Sequence, residues 1–82
     1  MSVKASILKK WCIDNISPQS WTRICLKCTD ELRKKGYSLN QMEDLSTDII
    51  LDADTIKTLN NALFEYYELN IDESILAFYL GR

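Results

Sequence analysis

Apolar residues recur along this chain at spacings of three, four and seven, the repeat of an amphipathic helix. Val3, Ile7, Leu8, Trp11 and Cys12 form a first stripe, with Lys4, Lys9 and Lys10 largely off it. They predict a helix from about Ser2 to about Asp14. Ser17-Pro18 then reads as an N-cap followed by proline at the first helical position, where its missing N–H costs nothing. Trp21, Ile24, Cys25, Cys28 and Leu32 continue the helical spacing, and Gly36 stands where a left-handed C-terminal cap belongs. Lys34 and Lys35 fall in the last turn, where the helix dipole favours cations. A second helix over 18–35 follows.

Ser38-Leu39-Asn40-Gln41 has the form of a capping box, serine followed three residues later by glutamine, and opens a short helix through Met42 and Leu45. Ile49-Ile50-Leu51 is too short to assign by period and reads as an extended linker pinned into the core. Asp52 or Asp54 then caps a helix whose stripe is Ile56, Leu59, Leu63 and Tyr66 or Tyr67, stopped by Asn70. Asp72 caps a last short helix with Ile75, Leu76 and Tyr79, ended by Gly81. The expected fold is all-α: one domain over 1–82, a small bundle of four to five short helices.

Composition narrows this further. Two glycines and one proline argue against the many tight turns of a sandwich or barrel. The chain's 46% hydrophobic and 27% charged residues are ordinary for a folded domain. The longest apolar run, Ile75 to Leu80, is six residues, against the ~20 that span a bilayer. No stretch at the N-terminus is apolar enough for a signal peptide. Three cysteines, an odd number, suit a reducing compartment better than a disulfide scaffold. A cytoplasmic protein is expected, with the Asn15-Ile16-Ser17 sequon idle.

The net charge of −2 conceals a polarised chain. Residues 1–37 hold eight basic side chains against three acidic ones, a net +5, and residues 38–82 hold two against nine, a net −7. Either the two halves pack together and their fields partly cancel, or the surface has a basic and an acidic face that orient a charged partner.

Catalytic and cofactor chemistry finds little support. There is no histidine, so the commonest general base and metal ligand is missing. Cys25-Leu26-Lys27-Cys28 is a C-x-x-C, but a redox pair needs its first cysteine at a helix N-terminus, and a zinc site needs more ligands than Cys12 supplies. Both cysteines instead fall on the apolar stripe. The paired acids, such as Glu43-Asp44 and Asp72-Glu73, read as solvated helix surface. No enzyme, cofactor, metal or small-molecule substrate is expected.

The segment from Leu32 to Leu45 combines a basic helix end, a Gly-aromatic turn and a capped short helix carrying Gln41. It resembles the opening of a Cro/repressor-type helix-turn-helix, and Asp54 to Asn61 looks like the end of that family's recognition helix. The resemblance covers under half of the chain. It implies a DNA-binding regulator in which Arg33, Lys34, Lys35 and Lys57 approach phosphates. The chain departs from the family in several respects. Glu43 stands where a small residue packs, the interval from Gln41 to Thr55 is too long, and no glycine opens the turn. Asp48, Asp52 and Asp54 put negative charge where phosphates approach.

The aromatics supply the other reading. Tyr66 and Tyr67 are adjacent and cannot both face one core line, and Phe64 lies off the Leu59–Leu63 stripe, so at least one of these rings is expected to be exposed. Exposed aromatics are enriched at protein interfaces. The sequence therefore favours a small non-enzymatic regulator, inhibitor or adaptor that occupies a surface on a larger protein. Its expected contact residues are Asp48, Asp52, Asp54, Phe64, Glu65, Tyr66, Tyr67 and Glu68. An Ile-, Asn-, Lys- and Tyr-rich composition suits a phage or mobile element. A homo-oligomer would bury leftover aromatics, and a minor structural subunit of an assembly is the third alternative.

Overall fold

The computed structural model describes residues 3–44 and 49–71. Within them, 71% of residues are helical. The order is β1 (Val3–Lys4), α1 (Ala5–Asn15), α2 (Ser20–Lys27), α3 (Thr29–Lys34), α4 (Leu39–Asp44), β2 (Ile50–Leu51) and α5 (Ala53–Tyr67). The small all-α bundle expected from the pattern is the fold, with a two-stranded ribbon added. The expected helix from Asp72, along with Met1, Ser2, Asp48, Phe78 and Tyr79, lies outside the described residues.

Helix α2 is central, packed on α1, α3, α4 and α5. Trp21, Ile24 and Cys25 on its inner face are at most 1% exposed, and Leu8, Cys12, Leu32, Met42, Leu51, Leu59 and Leu63 close around them. The first two described residues differ from expectation. Val3 is not helical but extended, paired antiparallel with Leu51, while Lys4 pairs with Ile50. Ala5 N–H then donates to Ile49 C=O at 2.7 Å as α1 begins. Leu51 is fully buried and Val3 nearly so, so the triplet 49–51 is extended and pinned to the core as anticipated.

Pro18 does not begin a helix. It sits at the second position of a turn in which Ser20 N–H donates to Ser17 C=O at 3.2 Å, the position where its fixed φ fits. Helix α2 starts at Ser20, whose buried hydroxyl lies 2.7 Å from Ser17 O and 3.0 Å from Cys12 O, tying the turn to the end of α1. The single helix expected over 18–35 is broken at Cys28, where φ is −101° and ψ 20°. Thr29 Oγ1 donates back to Leu26 O at 2.7 Å, a side-chain bond that competes with the helix ladder and bends it.

Three local signals are realised. Gly36 takes φ +89°, with its N–H donating to Arg33 O and Tyr37 N–H to Leu32 O, a complete Schellman cap on α3. Ser38 and Gln41 exchange bonds, N–H to Oε1 at 2.9 Å and N–H to Oγ at 3.1 Å. Asp52, rather than Asp54, caps α5, its Oδ1 accepting from Thr55 N–H at 2.8 Å. The stop of α5 is not Asn70 but Glu68, in the left-handed region at φ 56°. Asn70 belongs to a short return strap: Ile71 N–H donates to Asn60 Oδ1 at 2.7 Å, and Ile71 re-enters the core.

Candidate functional site

Most of the expected contact residues lie on α5, so the burial of that helix decides what they can do. Thr55, Ile56, Leu59, Ala62 and Leu63 face the core. The remaining candidates divide between the two ends of the helix, separated by about 18 Å at 1.5 Å per residue. They are two places, not one.

At the N-terminal end, the Lys35 ammonium lies 3.0 Å from Asp52 Oδ2 and 3.8 Å from Asp54 Oδ2. The side chain of Thr55, its backbone N–H and the Lys35 ammonium, in that order, hold the Asp52 carboxyl well below its ordinary range. The Thr55 hydroxyl is buried beside that carboxylate without a hydrogen bond of good geometry, so the 2.8 Å backbone bond is the contact the distances establish. Lys35 is shifted up in turn, chiefly by the bond to Asp52. These groups hold α3 to α5 and cap a helix.

At the C-terminal end, Lys27 Nζ lies 3.4 Å from Glu65 Oε1. The Arg23 guanidinium sits 4.2 Å from the centre of the Tyr66 ring and 5.7 Å from that of Tyr67, and the two rings meet edge to face. Both tyrosines are half-buried under α2. Phe64 is different. It is 53% exposed, on the side of α5 away from the core, as the stripe argument required of at least one ring.

Charge is correspondingly less divided in space than along the chain. Lys27–Glu65 and the Lys35 pairs join the basic and the acidic halves across α2, α3 and α5. Of the residues assigned to phosphate contact, Lys35 is thus engaged by two carboxylates, while Arg33 and Lys34 are exposed on the last turn of α3 and Lys57 on the outer side of α5. A helix-turn-helix joins its helices through a turn of three or four residues. Here residues 45–52, including β2, connect α4 to α5. The N-terminal end of α5, which a recognition helix turns to base edges, carries Asp52 and Asp54.

The cysteines are core residues. Cys12 and Cys25 are fully buried and Cys28 4% exposed. Burial pushes the Cys12 thiol up to about 12 and that of Cys28 to about 11. Cys25 is raised as well, first by burial and then by the nearby Glu43 carboxylate. Thiols held neutral in this way are poor nucleophiles and poor ligands. A shallow cleft of about 440 Å³ lies between α3 and α4, walled by Leu32, Arg33, Tyr37 and Leu39. Its polar groups Ser38 and Gln41 are occupied with each other.

No protein family, curated protein or solved structure matches this chain.

The sequence did not reveal that Arg23 covers Tyr66. Arg23 and Lys27 are one helical turn apart, and Glu65, Tyr66 and Tyr67 are consecutive, but nothing local sets the two helices side by side.

Proposed function

We propose that this chain is a small non-enzymatic protein-binding regulator whose contact surface centres on Phe64 and the acidic C-terminal end of α5. The exposed Phe64 ring carries this reading. It stands on a rigid fifteen-residue helix, its neighbours Tyr66 and Tyr67 are already covered by Arg23, and Glu65 and Glu68 give its surroundings negative charge. An aromatic anchor within a charged rim is the usual anatomy of a protein interface. Asp52 and Asp54 leave the contact set, because their carboxylates serve the α3–α5 junction. The absence of histidine and the neutral state of the three thiols support a binding role over a chemical one.

Affinity capture from cells that make the protein tests the reading. Phe64→Ser is expected to lose the specifically retained protein while keeping the wild-type circular dichroism spectrum, and Arg33→Ala with Lys34→Ala is expected to keep it. Retention unaffected by Phe64→Ser, or a sequence-specific DNA footprint abolished by Lys34→Ala and Lys57→Ala, would overturn it.

A further inference from the structure

The outer side of α5 presents Lys57, Asn61, Phe64 and Glu68 at spacings of four, three and four, which places them in one line along the helix. All four are exposed. Among the described residues, no ion pair or side-chain hydrogen bond engages Lys57 or Glu68. The helix thus has a second stripe, opposite the core-facing one, with an aromatic ring near its middle and opposite charges at its ends.

Glu68 also runs against its local setting. It puts a negative charge at the negative end of the α5 dipole, where a cation would be favoured. It adopts φ 56°, a conformation that glycine takes freely and other residues take at a cost. Such local conflicts collect at positions with a role elsewhere.

We infer that this line is a self-association surface on which a second copy of the chain packs its own α5 antiparallel, about a twofold axis passing between positions 62 and 63. Positions 57 and 68 lie equally far from that midpoint, as do 61 and 64. The pairing therefore sets Lys57 of each copy against Glu68 of the other, and Phe64 of each against Asn61 of the other. A twofold repeats every contact, so one unlike-charge pair becomes two. The last turn of α5 has no basic residue of its own, and the neighbouring copy's Lys57 supplies a cation to Glu68. One helix face on each side buries well under the ~1,200–2,000 Å² of a stable interface, so the dimer is weak, with a dissociation constant on the order of 10⁻⁴ M. A further consequence rests on the proposed role of Phe64: self-pairing covers the same ring, so the dimer is a reserve form that competes with the partner.

Sedimentation velocity on the purified full chain, from about 10 µM to about 1 mM, tests the pairing. A concentration-dependent shift toward twice the monomer mass is expected. Glu68→Lys and Lys57→Glu each place like charges together and are expected to weaken association at least about tenfold. The double variant carrying both changes restores the pairing with the charges exchanged. Glu68→Lys also suits the helix dipole, so its loss of dimer is not a loss of fold, and thermal denaturation checks this. A chain monomeric throughout the range, or a dimer indifferent to either reversal, overturns the inference. Partner capture is read separately: a dimer that obeys the charge exchange, with capture indifferent to Phe64→Ser, leaves the pairing standing and removes the partner reading.

Discussion

The indole N–H of Trp21 donates to the carbonyl of Met42 at 2.7 Å, a buried bond that fastens α2 to α4. Both residues are at most 1% exposed. Trp21→Phe keeps an aromatic ring but leaves that carbonyl without its donor and opens space beside it. A loss of about 2–4 kcal/mol is expected. Urea denaturation followed by circular dichroism measures it, and the fluorescence of the retained Trp11 gives a second readout.

Gly36 isolates a backbone effect. A Cβ added there meets nothing within 4 Å, yet its φ is +89°. Gly36→Ala is expected to cost about 1–2 kcal/mol with no steric component, and Gly36→Asn less, because asparagine tolerates the left-handed region. Equal losses for the two variants would point to a role other than the Schellman cap.

The buried thiols make stability depend on alkaline pH. An unfolded thiol ionises near 9.0, whereas Cys28 in the fold resists until about 11 and Cys12 until about 12. Between those values the unfolded state has released protons that the native state still holds, so stability is present in full below about pH 9 and declines as pH rises. Cys12→Ala is expected to flatten this decline relative to the wild type. At pH 8, a thiol reagent is expected to react only as fast as the core opens. Cys25→Ala combined with Cys28→Ala is expected to cost roughly 1–3 kcal/mol and to leave self-association intact in the folded fraction.

Asp52 gives the opposite sign at acid pH. Its folded carboxyl is held below the ordinary value of 3.8, so the stabilisation is present above that value and disappears as pH falls beneath it. Asp52→Asn keeps a good N-cap while removing the charge seen by Lys35. The variant's urea midpoint is expected to fall less steeply than the wild type's on acidification, and added salt is expected to narrow the difference at neutral pH.

What could be read from the sequence was whatever depends on neighbours in the chain. The Ser38–Gln41 box, the Gly36 cap and the Asp52 cap each need only three or four consecutive residues, and each is present. Val3 fits a helical stripe equally well on paper. It becomes extended because Leu51, far along the chain, offers a strand partner and a place in the core. The break at Cys28 is hidden for another reason: the apolar spacing runs straight through it, and only the Thr29 back-bond shows where the ladder yields. The surroundings of the expected contact residues divide along the same line. The exposure of Phe64 follows from its offset from the stripe, a local property. The ion pairs of Asp52, Asp54 and Glu65 are not local, because their cationic partners come from α2 and from the end of α3. Net charge along the chain cannot show which charges meet in space.

The ribbon between Val3 and Leu51 has a kinetic consequence. Its two strands are separated in sequence by α1 to α4, so closing it carries a loop-entropy cost that the formation of each single helix does not. The N-terminal strand is therefore expected to dock after the rate-limiting step of folding. Val3→Ala should then leave the refolding rate nearly unchanged and accelerate unfolding, giving a φ-value near zero. During synthesis Val3 leaves the ribosome well before its place exists, since Leu51 must follow it out before Val3 has anything to pair with.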